Sequence, residues 1–241
     1  MKTYSYIGSE LELFSRAVNW KNYYAKFLYK YLTGEVLEVG AGIGSTTQIL
    51  CNRKQNRWVC LEPDAEMSCI LKERVTQGEL PETCEVSNEF IGSLPKSELF
   101  DVIVYIDVLE HIENDKQELI AATAHLKTAG HLIILSPAHQ RLFTEFDREI
   151  GHFRRYNRKS LAAIIPNALE SVDCRYLDSV GMFASLANHL ILKSNMPSEQ
   201  QILFWDSVMI RLSKFVDPLL NYRIGKSILG VWRKKGYPQS E

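Results

Sequence analysis

The chain has 241 residues, of which 46% are hydrophobic and 24% charged, an ordinary globular composition that excludes a disordered chain. Its formal net charge is −1, so nothing attracts it generally to nucleic acid or to an anionic membrane, and we expect neither as a partner. Five cysteines without a C-x-x-C pair indicate free thiols in a reducing compartment. With no secretory signal and no apolar run long enough for a membrane, we expect a cytoplasmic protein without a transmembrane segment.

The first half of the chain alternates helical patterns with short apolar runs. Apolar spacing over residues 9–32 predicts one or two helices within an N-terminal segment, 1–33. The runs that follow are rich in β-branched residues, as are parallel strands buried on both faces. Strands are predicted at 36–39, 58–61, 101–106 and 131–136, a weaker one at 83–88, and helices at 45–54, 64–76 and 115–127.

Capping signals support two of these helices. Ser45 with Gln48, and Asp115 with Glu118, have the spacing of a capping box at a helix start. The run 127–130, a lysine followed three residues later by a glycine, favours the end of the helix 115–127.

The second half of the chain departs from this alternation. A strand is predicted at 175–181, then a helical insertion at 182–222, and a last strand at 227–234. We predict one domain over 1–241, with an α/β doubly wound core formed by 34–181 and 223–235. The insertion is predicted to be a lid over a pocket, with extra core packing as the alternative. Its predicted apolar face consists of Ile202, Trp205, Met209, Leu212 and Phe215 or Val216.

A glycine-rich loop follows the first strand. Gly40, Gly42 and Gly44 are spaced as G-x-G-x-G, and Ser45 occupies the place of the third glycine of a dinucleotide fingerprint. Glu38 precedes the loop, where a carboxylate repels a pyrophosphate but helps to hold an ammonium group. Glu62 ends the second strand, where a carboxylate accepts hydrogen bonds from ribose hydroxyls. The charges therefore favour S-adenosylmethionine over NAD.

Four motifs in order resemble those of the class I S-adenosylmethionine-dependent methyltransferases. They are "VLEVGAGIG", "CLEPD", "FDVIVYIDVLEHI" and "LKTAGHLIILSPAH", and together they cover roughly residues 30–140. The segment 142–161, which contains "GHFRRY", resembles a bacterial subfamily of small methyltransferases found with natural-product and cell-surface glycan pathways. The resemblance implies a Rossmann-like, mostly parallel sheet of seven strands.

The resemblance also implies the cofactor contacts. The glycine loop would approach the methionine moiety, Glu38 its amino end and Glu62 the ribose, while the turn after the third strand would lie against the adenine. The implied cofactor-binding residues are Glu38, Gly40, Ala41, Gly42, Gly44, Glu62, Pro63, Asn88, Glu89, Phe90, Asp107 and Val108.

Candidate groups for the methyl-transfer chemistry cluster after the fourth and fifth strands. They are His111, His139, His152, Arg154, Arg155 and Tyr156, with Asp147 nearby. His111 is a candidate base or a packing residue beside the cofactor. The two arginines suit an acidic methyl acceptor, or else pair with Asp147 or Glu145 to fix their loop. Asp107, His111 and His139 lack an established metal-ligand spacing, so no metal is predicted.

These features together predict an S-adenosylmethionine-dependent methyltransferase. The predicted reaction is O-methylation of a hydroxyl or carboxylate on a small molecule, glycan or peptide natural product. The alternatives are N-methylation of a similar substrate, a non-catalytic S-adenosylmethionine-binding partner, and an NAD-linked oxidoreductase. RNA methylation is disfavoured, because no basic extension or N-P-P-Y-like motif is present.

Overall fold

The computed structural model describes residues 10–52, 54–191 and 198–236. The parts of the predicted domain at 1–9, 53, 192–197 and 237–241 lie outside the described residues.

Seven strands form a single sheet in the order β3-β2-β1-β4-β5-β7-β6. Strands β1 to β5 pair in parallel, and β7 runs antiparallel between β5 and β6. The predicted α/β, Rossmann-like fold with seven strands is therefore confirmed. The strands are β1 (Gly34–Val39), β2 (Gln55–Leu61), β3 (Cys84–Ser87), β4 (Phe100–Ile106), β5 (Leu126–Pro137), β6 (Leu169–Leu177) and β7 (Ser227–Lys234).

Helices cover both faces of this sheet, which explains why the central strands are apolar throughout. On one face Tyr23, Leu28 and Trp58 are buried in one apolar cluster, and on the other Leu119 and Leu161 are buried in a second. The helices are α1 (Glu10–Ser15), α2 (Val18–Leu28), α3 (Thr47–Leu50), α4 (Ala65–Thr76), α5 (Asp115–Ala124), α6 (Glu145–Glu149), α7 (Arg158–Ile164), α8 (Ser179–Ile191), α9 (Glu199–Phe204) and α10 (Ile210–Leu219).

Neither predicted capping box forms. Helix α3 is a single turn, Thr47–Leu50, rather than the predicted 45–54, and Gln48 accepts a hydrogen bond from Arg74 instead of reaching back to Ser45. Helix α5 has the predicted start, but the Glu118 carboxylate accepts a hydrogen bond from Tyr105 at 2.9 Å. In both places a tertiary partner takes the side chain that the local pattern had assigned to the helix end.

The predicted helix 115–127 also ends early, at Ala124, and β5 begins two residues later. The Lys127 ammonium does not close a helix; it lies 2.9 Å from Asp101 on β4 and 3.3 Å from Glu35 on β1. Between Leu126 and His131 the pairing of β5 with β4 shifts register, so 127–130 form an irregular part of the strand. Lys127 therefore forms ion pairs across the sheet, and the lysine and glycine of 127–130 do not mark a helix end.

The strand predicted at 175–181 is displaced. Strand β6 spans Leu169–Leu177, and α8 already begins at Ser179. Asp178 between them has φ of +64°, which ends the strand, and its carboxylate accepts a hydrogen bond from the Gly181 amide at 2.9 Å. The strand therefore ends four residues earlier than predicted, and the last three residues of the predicted strand belong to α8.

The insertion is helical, as predicted, but its predicted apolar face is partly wrong. Leu212 and Phe215 are 50% and 74% exposed, whereas Ile210 and Ser213 are buried. One π-helical turn, Trp205–Met209, separates α9 from α10 and rotates the face of the later helix.

We call the helical insertion the cap, and two buried carboxylates attach it to α2. Asp206 accepts hydrogen bonds from the Asn19 and Trp20 amides at the start of α2, at 3.0 and 2.8 Å. Asp217 accepts one from the Tyr23 hydroxyl at 2.7 Å. The cap therefore holds the N-terminal helices against the sheet edge where β1 and β4 end. Among the described residues, no helix combines the length and the apolar character needed to cross a membrane.

Candidate active site

The glycine loop joins β1 to α3 at the carboxyl edge of the sheet, beside the point where strand order reverses. Gly40 has φ of +67°, a region that costs other residues energy. A Cβ atom at this position would lie only 2.7 Å from Val108 Cγ2. The loop is thus a tight backbone turn, which leaves room for a ligand to approach the main chain.

The two predicted acids are both buried, but they have different hydrogen-bond partners. Glu38 is buried, and its Oε2 accepts hydrogen bonds from Thr47 Oγ1 at 2.7 Å and from Trp58 Nε1 at 2.9 Å. Burial raises the pKa of Glu38 to about 7. Glu62 instead contacts the loop directly: its Oε2 accepts from the Gly42 amide at 2.7 Å. Glu38 therefore binds side chains of α3 and β2 next to the loop, whereas Glu62 binds the loop backbone itself.

The Glu62 carboxylate keeps acceptor capacity for a ligand. Its Oε1 accepts a hydrogen bond from the Asp64 amide at 2.9 Å, and burial raises its pKa. Each carboxylate oxygen can accept a second hydrogen bond, so both remain able to bind ribose hydroxyls. This placement fits the predicted cofactor.

The predicted adenine contacts lie beside Glu62. Asn88 Nδ2 donates to the Glu62 carbonyl at 2.8 Å, so the turn after β3 is tied to the end of β2. Phe90 is 53% exposed, Glu89 is also exposed, and Pro63 is half-buried. An exposed aromatic ring such as that of Phe90 can pack on the flat face of a purine.

One cavity of about 910 Å³ begins at the glycine loop and extends beneath the cap. Gly40, Ala41 and Gly42 lie at one end of it. Asp107, at the end of β4, faces it with φ of +54°. Desolvation by the surrounding protein raises the pKa of Asp107 to about 6, although its side chain is open to the cavity. The cap contributes Ala184, Ser185, Gln201, Ile202, Phe204, Trp205 and Met209 to the lining.

Two lysines that the sequence analysis did not identify also line this cavity. Lys21 of α2 donates to the Phe14 carbonyl at 2.6 Å, and burial lowers its pKa to about 8. Lys226 precedes β7, and burial lowers its pKa as well. No local motif marks either residue. In the sequence, Lys21 is distinguished only by its place among the aromatic residues of α2.

The predicted histidines His111 and His152 meet at the cavity wall, together with Glu110 and Asp147. Their rings pack edge to face with centroids 4.4 Å apart. His152 Nδ1 lies 2.9 Å from Asp147 Oδ1, and its Nε2 lies 3.9 Å from Glu110 Oε1. Burial and the neighbouring His152 lower the pKa of His111 to about 3, so His111 is neutral. Glu110 could not be identified from the sequence, because an acidic residue next to a histidine is as common on a protein surface as in a site.

Arg155 belongs to this cluster through Asp147. Its Nε and Nη2 donate to the two Asp147 carboxylate oxygens at 2.9 and 2.8 Å. Although burial acts in the opposite direction, hydrogen bonds from His152 and Arg155 hold the pKa of Asp147 well below its usual range. This is the loop-fixing ion pair that the sequence analysis considered for Arg155.

The other three candidate catalytic residues do not line the cavity. Arg154 binds Asp115 at 2.5 Å, and the Tyr156 hydroxyl donates to the same carboxylate at 2.7 Å. His139 stacks on Tyr176, with its Nε2 3.1 Å from the Gly225 carbonyl. Their contacts connect the segment 137–158 to the sheet and to α5.

The profile of the methyltransferase domain family matches residues 14–168 of this chain. No curated protein matches the sequence. The fold is similar to that of the YcgJ protein from Bacillus subtilis, with a TM-score of 0.59 and 14% identity over 90% of this chain and 98% of that chain.

Two further solved structures share the fold. The N-methyltransferase NodS from Bradyrhizobium japonicum, solved with S-adenosyl-L-homocysteine, has a TM-score of 0.61 and 15% identity over 95% of this chain and 94% of that chain. The [4+2]-cyclase SpnF has a TM-score of 0.61 and 14% identity over 90% and 82%. An N-methyltransferase and a cyclase share this fold, so the likeness shows the fold and leaves the reaction to the site residues.

Proposed function

The chain belongs to the class I S-adenosylmethionine-dependent methyltransferases, and from that premise we propose that it methylates a hydroxyl oxygen of a small molecule, glycan or peptide natural product. The observation that carries this proposal is the hydrogen-bonded Asp147–His152 pair in the wall of the cavity. The cofactor supplies a methyl group already activated by its sulfonium. The protein's own contribution is therefore to orient the methyl acceptor and remove its proton.

The residues around the glycine loop are proposed to hold the cofactor. The backbone of Gly40, Ala41, Gly42 and Gly44 would contact the methionine moiety, and Glu62 the ribose hydroxyls. Pro63, Asn88, Glu89 and Phe90 would surround the adenine, with Asp107 and Val108 at the end of β4. Glu38 would act through the loop, because its carboxylate is already bonded to Thr47 and Trp58.

A hydroxyl requires deprotonation, and His152 is the best placed base. Asp147 holds its Nδ1, so Nε2 is the nitrogen left to take a proton; it lies 3.9 Å from Glu110 Oε1, and His152 lines the cavity. Asp147 would also stabilise the imidazolium formed when His152 takes the proton. A carboxylate acceptor needs no base, because it is already deprotonated at neutral pH. The presence of this pair therefore favours a hydroxyl over a carboxylate.

An acidic group elsewhere on the methyl acceptor is supported by Lys226 rather than by the two arginines. Both arginines are paired with aspartates, whereas the Lys226 ammonium lines the cavity 5.4 Å from the Trp205 ring centroid. A carboxylate or phosphate would gain a charge-assisted hydrogen bond there. No disulfide joins the five cysteines, all of which lie among the described residues, and reduced thiols support the proposed cytoplasmic location.

The test is transfer of a labelled methyl group from S-adenosylmethionine to panels of hydroxyl, carboxyl and amine compounds. We expect labelled product from hydroxyl compounds, stable to mild alkali as a methyl ether is. Alkali-labile label would indicate a methyl ester, and transfer to amines alone would indicate N-methylation. His152→Gln should lower kcat strongly while S-adenosylhomocysteine still binds. An unchanged kcat would contradict the role of His152.

A further inference from the structure

Glu110, His111 and His152 bring three metal-binding side chains together in the cavity wall. One ligand atom from each lies within 4.8 Å of the other two. Glu110 and His111 come from the turn after β4, and His152 from the segment after α6. The backbone joins the two segments directly, because the Phe153 amide donates to the Glu110 carbonyl at 2.8 Å.

The Glu110 carboxylate is only half satisfied. Its Oε2 accepts a hydrogen bond from Ser136 Oγ at 2.9 Å. Among the described residues its Oε1 has no hydrogen-bond partner, although the residue is fully buried. A buried carboxylate oxygen without a partner is destabilising, because its hydrogen bonds to water are lost and not replaced. This oxygen faces His152 Nε2 at 3.9 Å, too far for a hydrogen bond.

Each imidazole ring is oriented by a hydrogen bond to one of its nitrogens. Asp147 binds His152 at Nδ1, and a hydrogen bond to the backbone of Ile150 orients His111. Histidines that bind metals usually donate their second nitrogen to a carboxylate or a backbone carbonyl in this way. Arg155 in turn holds Asp147 with two hydrogen bonds, so the outer support is itself fixed.

We infer that Glu110, His111 and His152 bind one divalent metal ion whose remaining positions face the methyl-acceptor cavity. The spacing fits: two ligands about 2.1 Å from a tetrahedral ion lie roughly 3.4 Å apart, so the 3.9 Å between Glu110 and His152 closes with a small side-chain movement. Two imidazoles and one carboxylate suit zinc, manganese, iron or cobalt better than magnesium or calcium.

Such an ion would give the cavity a binding position for a hydroxyl oxygen and would lower the pKa of that hydroxyl. This part of the inference rests on the proposed function, whereas metal binding itself does not. His152 is available as the base only without the ion; with an ion bound it would be a ligand, and the hydroxyl, made more acidic by the ion, would release its proton to solvent water. No metal was predicted from the sequence, because Asp107, His111 and His139 lack an established ligand spacing; in the folded chain His139 lies outside the cluster.

Metal binding is tested directly on the full chain without a histidine tag. After treatment with a chelator and its removal, Zn²⁺, Mn²⁺ and Co²⁺ are titrated by calorimetry, and the Co²⁺ complex is followed by visible absorption. We expect one ion per chain. Glu110→Gln and His152→Gln should each weaken binding at least about 100-fold, and Asp147→Asn about 10- to 100-fold. The matched control is His139→Gln, which removes an imidazole outside the cluster and should bind as the wild type does.

Three results would overturn the inference: no ion bound by the wild type at about 1 mM metal, equal affinity in wild type and Glu110→Gln, or an equal loss in His139→Gln. Thermal unfolding of each apo variant shows whether it folds. If His152→Gln does not fold, His111→Gln takes its place in the comparison. Loss of metal binding with S-adenosylhomocysteine binding intact would separate this site from the cofactor site.

Discussion

Substitution of Gly40 by alanine tests the geometry of the glycine loop. Gly40 has φ of +67°, which costs an alanine about 1–2 kcal/mol. The new Cβ would lie 2.7 and 2.8 Å from the two Cγ atoms of Val108, and such overpacking costs about 1–3 kcal/mol. The expected loss in the free energy of unfolding is therefore about 2–5 kcal/mol.

A second substitution separates the two contributions. Val108→Ala removes both Cγ atoms, so Gly40→Ala in that background should cost only the backbone part, about 1–2 kcal/mol. Gly78→Ala is the matched control, because Gly78 has φ of +75° but nothing within 4 Å of the added Cβ. Urea unfolding followed by tryptophan fluorescence gives the free energies of unfolding of the wild type and of the four variants.

Binding of S-adenosylhomocysteine provides the functional readout. Gly40→Ala should weaken it, since the loop backbone must shift, while Gly78→Ala should leave it unchanged. The reasoning is refuted if Gly40→Ala costs no more than Gly78→Ala, or if its cost is the same with and without the Val108 side chain.

Three further predictions concern the buried charges. Arg155→Ala leaves the Asp147 carboxylate buried without its ion pair and should cost about 3–5 kcal/mol in urea unfolding; a smaller loss than for Arg154→Ala would contradict the structural role of Arg155. Glu38 has a folded pKa of about 7, above its ordinary 4.5, so the wild type should lose up to about 3 kcal/mol of stability as pH rises from 4.5 through 7. Glu38→Gln should remove that loss, and unfolding at pH 5 and pH 8 measures it; an unchanged pH dependence would show that Glu38 is ionised throughout. Asp217→Ala removes a carboxylate that accepts four hydrogen bonds and should destabilise the protein by at least about 2 kcal/mol, seen as a lower melting temperature; an unchanged value would mean that the cap does not depend on it.

The periodic parts of the fold could be predicted from the sequence. Apolar runs such as 101–106 have one stable location, between two helix layers, so their type and order follow from composition. Helix ends were predicted less well, because long-range partners decide them. Lys127 reads locally as a helix end but pairs with Asp101 across the sheet.

The site shows the same division. The glycine loop is local, so its backbone conformation follows from its residues, whereas the hydrogen bond from the Gly42 amide to the Glu62 carboxylate is seen only in the folded chain. Glu110 and Lys226 were missed because their significance depends on approach from distant segments. The arginine pair of "GHFRRY" suggested a ligand site, but each guanidinium has an aspartate partner that only the folded chain supplies.

Calorimetric titration of the purified chain with S-adenosylhomocysteine and, separately, with NAD tests the central claim most directly. We predict saturable binding of S-adenosylhomocysteine at one site per chain, strongly weakened by Glu62→Ala, and no binding of NAD. Tight binding of NAD without binding of S-adenosylhomocysteine would contradict the account.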